Sequence, residues 1–327
     1  MTAGSIENGK SDMVAGQDEE ARFAAFLRSD LSAFIHKVFQ TVSPEDAYRD
    51  NWHIEAIAHR LTECRDGNCR RLLITQPPRS LKSICSSVAF VAWALGHDPS
   101  LRFICVSYTD DLAKALARQF RMVVTSRWYQ RLFPKMRLKR DTEAECSTTL
   151  GGGRLATSVG GTLTGRGADI IIIDDPLKAD DARRDAARTA VNEWYASTLV
   201  SRLNDKQTGS IVIVMQRLHQ DDLAGYVSSR SEDWTHLDLP AIAIEDQDVE
   251  IGPGLVHRRK AGEALHPERE PIRILDSLKA QLGELTFSAQ YQQRPVPAVG
   301  NLIKRDWLRH YEQLPQIAGR PVARQSG

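Results

Sequence analysis

Apolar residues recur along this chain at two different spacings. Between Asp18 and Gln40 the helical spacing of Phe23, Phe26, Leu27, Leu31, Phe34, Ile35 and Val38 predicts an amphipathic helix. Trp52 to Cys64, with Ile54, Ile57, Ala58 and Leu61, predicts another. From there the pattern changes to short apolar runs, which predict strands over Leu72–Thr75, Arg102–Ser107, Ile170–Asp174, Ser210–Met215 and Thr235–Leu239. Helical patterns fall between them, over Lys82–Leu95, Asp110–Thr125, Ala186–Leu203 and Asp221–Ser229. Gly96 and Pro99 stop the first of these helices, and residues 146–159 read as a hairpin around Gly151, Gly152 and Gly153. Such alternation predicts an α/β fold, a mainly parallel sheet with helices on both faces. In that architecture ligands bind beyond the carboxyl ends of the strands.

After Pro240 the periodicity loosens. Residues 245–272 are rich in charge, Gly and Pro and read as a long loop or small subdomain. A helix is predicted over Ile272–Leu282, and a linker over residues 294–302. The expected organisation is a polar, disordered tail over 1–17, an α/β domain over 18–244, and a linker or subdomain over 245–327.

Composition narrows the class. The chain has 327 residues, 42% hydrophobic and 26% charged, which is enough for a sizeable core. A formal net charge of +1 argues against a protein basic all over, although a local basic channel is compatible with it. No stretch approaches the roughly 20 apolar residues of a membrane span, and the polar N-terminus lacks the pattern of a secretory signal. Cys85 and Cys105 lie in apolar runs as buried thiols, and Cys64 with Cys69 lacks a second ligand pair for zinc. The chain reads as cytosolic and reduced.

Two segments carry candidate chemistry. Arg71 to Ser83 runs from an apolar strand through Pro77, Pro78, Arg79, Ser80 and Leu81 to Lys82 and Ser83. This is the layout of a loop that cradles phosphate on backbone N–H groups, with a lysine for the β/γ charge and a hydroxyl for Mg²⁺. Pro78, Ser80, Leu81, Lys82 and Ser83 are the expected nucleotide contacts. Leu81 stands where glycine is usual. About ninety residues on, four consecutive isoleucines deliver Asp174 and Asp175 at a strand end. Adjacent carboxylates repel, and a metal ion relieves that. Asp174 is the expected Mg²⁺ ligand beside Ser83, and Asp175 the residue that orients or deprotonates an attacking water. The two strands are expected to be neighbours, with Mg-ATP between their ends.

Further candidates surround these. Arg79 reads as binding the γ-phosphate and sensing hydrolysis, or as pairing with a surface carboxylate, and Gln216, at the end of a third strand, is expected to touch the γ-phosphate from beside. Arg217, His219 and Asp222 read either as functional groups or as ion pairs at a helix start. The glycine-rich stretch Val159–Ala168 reads as a mobile loop carrying Arg166 towards DNA or a neighbouring subunit, or as a plain connector. Basic and aromatic residues over Arg118–Arg140 suit a nucleic-acid surface, or equally a solvated helix face with a packed Trp128.

These segments, with Trp52-His53, Val106-Ser107-Tyr108, Trp128-Tyr129, Leu132-Phe133-Pro134, Gly165–Pro176, Gln216–His219, Asp221–Leu223, Leu239-Pro240-Ala241 and Phe287–Gln293, carry a resemblance. The chain resembles the large terminase subunit of tailed bacteriophages and prophages, over roughly residues 45–312. The resemblance implies a P-loop ATPase domain of the additional-strand class, using ATP and Mg²⁺, that drives double-stranded DNA through a portal protein into a procapsid. It implies a homo-oligomeric ring, a small terminase subunit as partner, no membrane, and the cytoplasm of a bacterial host. Arg79, Lys82, Ser83, Asp174 and Asp175 match the family's ATPase positions, and Gln216 the motif coupling hydrolysis to movement. Residues 316–327 contain no acidic residue, so the nuclease that follows in the family is not expected here. A DNA helicase or transposition ATPase, and a decayed prophage remnant that binds without turnover, are the alternatives.

Overall fold

Eight strands form one sheet in the computed structural model, which describes residues 19–230 and 233–296. The expected tail over 1–17 and most of the expected linker over 294–302 lie outside the described residues. A first helix, α1, covers residues 19–29, and α2 follows at Leu31–Val42. The single helix expected there is broken at Asp30, whose extended backbone and side-chain bond to the Ala33 N–H cap α2. Helix α3 is Trp52–Arg65 and leads into β1, Arg71–Thr75. The segment after the candidate phosphate loop is π-wound over Ile84–Phe90 and continues as α4, Val91–His97.

Then come β2 (Arg102–Ser107), α5 (Asp110–Val124), α6 (Arg127–Leu132), β3 (Leu138–Asp141), β4 (Glu145–Thr148) and β5 (Gly153–Ser158). Strand β6 is Ile170–Asp174, α7 Asp185–Trp194, β7 Ser210–Met215, α8 Leu223–Ser228 and β8 Thr235–Asp238. The segment expected to be loop carries an antiparallel hairpin, β9 (Gln247–Gly252) and β10 (Leu255–Arg259), before α9 (Ile272–Leu282) and α10 (Glu284–Gln290).

The order across the large sheet is β3-β4-β5-β2-β6-β7-β1-β8. From β5 to β8 every pairing is parallel, and β4 and β3 extend the β5 edge as antiparallel strands. One expectation is corrected here: β1 and β6 are not neighbours, because β7 lies between them. Ser210 to Met215 is buried at every position, so its apolar side chains need cover on both faces, which an interior place in the sheet provides.

Strand alternation sends residues to two separate cores. Leu72, Ile74, Ile170, Ile172, Val212 and Val214 face one, with Ile35, Phe90, Trp93 and Phe120. Leu73, Ile171, Ile173, Ile211, Ile213 and Met215 face the other, with Val191, Leu199 and Leu223. Each buried aliphatic side chain contributes about 1.5–3 kcal/mol, so the four isoleucines of β6 anchor both layers and fix where Asp174 emerges.

Among the basic and aromatic residues of 118–140, Trp128 packs on Phe34 and donates to Thr41 Oγ1 at 3.1 Å, and Tyr129 donates to the Ala92 carbonyl at 2.6 Å. Arg118 pairs with Glu143 and Arg121 with Asp141. Tyr129 is a core residue, and Trp128, half-buried, packs against the core.

Candidate active site

The tips of β1, β7 and β6 bring the expected residues together. Lys82 follows the loop after β1 and is 6% exposed. Its Nζ lies 3.0 Å from Asp175 Oδ2. Ser83 Oγ donates to Asp174 Oδ1 at 3.0 Å, and Ser87 Oγ donates to Asp174 Oδ2 at 2.8 Å. Asp174 is fully buried. Burial first, and then the neighbouring Asp175 carboxylate, push its pKa up to about 6; Lys82, Ser87 and Ser83 oppose that rise. The site is short of positive charge, with two carboxylates against one ammonium.

Three of the four non-glycine residues in the left-handed region among the described residues lie at this site: Arg79 at φ 58°, Leu81 at φ 61° and Asp175 at φ 44°. Each costs roughly 1–2 kcal/mol for a side chain with a Cβ. Leu81 therefore adopts the conformation that glycine would supply freely, and its half-buried side chain packs against the core under the loop. Asp175 is held in its strained turn from two sides: its N–H donates to Val214 O at 2.9 Å, and its Oδ1 accepts from the Gln216 N–H at 3.0 Å. Strain of this kind clusters at functional sites.

Gln216 thus touches the site through its backbone, while its side-chain Oε1 is buried without a protein partner. Arg79 is exposed, and its carbonyl accepts from Arg269. It lines a cleft of about 400 Å³ beside the loop, together with Leu81, His53, His266, Arg49 and Arg269. Pro78 is half-buried and Ser80 buried at the loop's turn. Arg217 and Asp222 form an ion pair at 3.0 Å, and Asp222 also accepts from the backbone of Leu218 and caps α8 at Gly225. They build the loop and do not reach into the site. His219 Nδ1 accepts from the Asp221 N–H in the same turn.

Arg166 emerges elsewhere. The Asp169 N–H donates to the Arg102 carbonyl, which places this stretch at the amino ends of the strands, opposite Lys82. Arg166 pairs there with Glu145 and lines a cleft with Arg102 and Gly151. Its own chain's nucleotide site is out of its reach.

Three contributors were missed by sequence reasoning. Ser87 lies one helical turn after Ser83, a spacing that signals a shared face. Gln76 occupies the place of the first glycine in the G-x-x-x-x-G-K-[ST] pattern and is fully buried. His53 is buried beside the loop, and its pKa is lowered to about 3, mainly by burial and then by His266.

The donor set fits a magnesium ion. Mg²⁺ takes hard oxygen ligands, usually one or two from protein, and keeps waters and phosphates for the rest. Ser83 and Asp174 supply that pair. Among the described residues no cluster of three or more His, Cys, Asp or Glu is arranged to hold a metal.

No family model and no curated protein matches this chain. A point variant of the large terminase ATPase domain of Thermus phage P74-26 aligns with a TM-score of 0.52 and 12% identity, over 79% of this chain and 97% of that one. The fold is that of a phage large terminase ATPase domain. The large terminase of a thermophilic bacteriophage, in complex with ADP, aligns at TM-score 0.40 and 10% identity, over 71% of this chain and 51% of that one. A hypothetical ATP-dependent RNA helicase from Sulfolobus tokodaii aligns at TM-score 0.37 and 12% identity, over 62% and 56%. One strand between β1 and β6 agrees with the additional-strand P-loop class expected of a terminase ATPase domain. No helix among the described residues is long and apolar enough to cross a membrane.

Proposed function

We propose that this protein is the ATP-hydrolysing part of a large terminase subunit, a motor that drives double-stranded DNA into a viral procapsid. The observation that carries the reading is the pair of 3.0 Å contacts, Ser83 to Asp174 and Lys82 to Asp175, formed between the ends of two strands flanking a third. Ser83 Oγ and Asp174 would hold Mg²⁺, which supplies charge neutralisation at the β- and γ-phosphates. The loop at Pro78–Ser83 presents backbone N–H groups to the phosphates, and the cleft lined by His53, Leu81 and His266 receives the rest of the nucleotide.

Lys82 has two alternative anionic partners. Without triphosphate it is held by Asp175; with triphosphate it turns to the β/γ oxygens and releases Asp175. The freed carboxylate then orients water and accepts its proton. Phosphoryl transfer needs positioning and charge stabilisation more than covalent chemistry. Arg79 adds positive charge at the γ-phosphate. Gln216, whose backbone N–H already holds Asp175, reports the change to the loop before α8. Portal protein, small terminase subunit and a ring of copies are the partners this role entails, with Arg166 available at the far end of the sheet for DNA or a neighbouring copy.

The test is Mg-ATP turnover by the full chain with and without double-stranded DNA. DNA-stimulated phosphate release, lost in Lys82→Ala while the circular dichroism spectrum is kept, supports the reading. Strand separation on forked duplexes would point to a helicase instead. Nucleotide binding without turnover would point to an inactive remnant.

A further inference from the structure

Three strand tips end in a row of polar side chains on one face. Strands β6, β7 and β1 are neighbours in parallel register, with Asp174 across from Val214 and Thr75 across from Met215. Alternation decides the faces. Ile172, Val212, Val214, Leu72 and Ile74 all point to the core beneath the phosphate-loop helix. Two residues after Ile172, Val214 and Ile74, the same face receives Asp174, Gln216 and Gln76. The bond from Ser87 to Asp174 confirms the direction for β6. The ladder extends to Gln76, whose N–H donates to Met215 O at 3.1 Å.

Gln76 is 0% exposed, and neither its Oε1 nor its Nε2 has a hydrogen-bond partner. Gln216 Oε1 is buried and unpartnered as well. A buried amide left unpaired is unfavourable, and an apolar side chain would fill the floor of the loop without that penalty. The two carboxamides are complementary, a free donor on one tip and a free acceptor on the next.

We propose that Gln76 is a positioning residue for hydrolysis: its amide N–H pairs with Gln216 Oε1 when the loop grips a nucleoside triphosphate. The inference rests on the ATPase reading. The pairing ties the floor of the phosphate loop to Gln216, and Gln216 in turn holds Asp175 through its backbone. Closure of the loop on the terminal phosphate is thereby transmitted to the residue that faces the water. A diphosphate, lacking that phosphate, leaves the pair unmade.

The experiment uses the full chain, with steady-state turnover and calorimetric affinities for ADP and for a non-hydrolysable ATP analogue. Gln76→Leu lowers kcat by about 10- to 100-fold, as expected when the carboxylate that faces the water is no longer held in place. It leaves ADP affinity within about twofold, removes the preference for the triphosphate analogue, and keeps or raises the unfolding midpoint. Gln216→Leu behaves alike, and the double variant is no slower than either single one, the signature of residues acting as a unit. Gln76→Met serves in the same way should Gln76→Leu not fold. Unchanged kcat, additive losses, or a loss of kcat that tracks falling midpoint and ADP affinity would overturn the proposal. An active wild type with an indifferent Gln76→Leu removes this inference alone. A wild type that neither binds nor hydrolyses ATP removes the ATPase reading and this inference with it.

Discussion

Ser83 and Asp174 are 91 positions apart in the chain, yet the serine hydroxyl donates to the carboxylate across 3.0 Å. A strand that belongs to neither, β7, separates the two strands that deliver them. In the proposed reading this contact marks the metal side of the site, and Lys82 with Asp175 the lysine–acid side.

The lysine–acid side gives the first prediction. Lys82 and Asp175 are partners at 3.0 Å, and Asp175 is the proposed acceptor of the water proton. Asp175→Asn should therefore retain Mg-ATP binding within a few fold and lower turnover by about 100-fold or more. Lys82→Ala should lose both. Calorimetry beside phosphate release separates the two; equal loss of binding in both variants would contradict the division of labour.

Leu81 yields a second. Its φ of 61° is free for glycine and unfavourable for a branched side chain. Leu81→Gly relieves the backbone but gives up packing and adds unfolded-state entropy, so stability should stay within about 1 kcal/mol, with turnover kept. Leu81→Val should lose about 1 kcal/mol or more, because a β-branched residue fits the left-handed region poorly. Denaturant melts of the three forms check this; equal stability of Leu81→Val would sink it.

Buried His53 predicts an acid limb of stability. Its pKa in the folded protein is lowered to about 3, against an ordinary value near 6.5. Between those values the unfolded chain binds the extra proton and the folded chain does not, so stability falls as pH falls below 6.5. By pH 5 the loss from this one group is about 2 kcal/mol. His53→Gln should flatten the melting midpoint between pH 7 and pH 5 relative to the wild type. Parallel curves for the two proteins would show that His53 is not the group responsible.

Asp222 is a structural keystone of the loop after β7. Fully buried, it takes Arg217 Nε at 3.0 Å, the Leu218 N–H at 2.9 Å and the Gly225 N–H at 3.0 Å. Asp222→Ala would strand a half-buried guanidinium and remove a helix cap, a loss of about 3–5 kcal/mol. Arg166→Ala, by contrast, breaks an exposed pair with Glu145 and should change stability by less than about 1 kcal/mol. Urea unfolding of both variants tests the contrast.

Much of this was legible beforehand, for identifiable reasons. Runs such as Ile170–Ile173 and Ile211–Val214 are short, apolar and β-branched, as interior strands are, and Lys82, Ser83, Asp174, Asp175 and Gln216 all lie at or after the carboxyl end of such a strand. Strand order was not legible: β1, β6 and β7 share one pattern, so nothing in the sequence says which is central. The break at Asp30 depends on a single cap bond to Ala33. In the hairpin of β9 and β10, β9 mostly alternates between half-buried and exposed positions and β10 is mostly exposed, so neither carries the apolar run that marks a core strand. Gln76 and Ser87 looked ordinary because their meaning comes from the neighbouring tips, not from their own segment.

The torsion angles of Arg79 and Leu81 bear on how such sites are recognised at all. A turn of this shape is specified by where the main chain bends, and here two residues with full side chains bend it. Screens that demand glycine will pass over loops of this kind. A filter built on a lysine–hydroxyl pair leaving one strand, and twin acids leaving the next strand but one, would retain them.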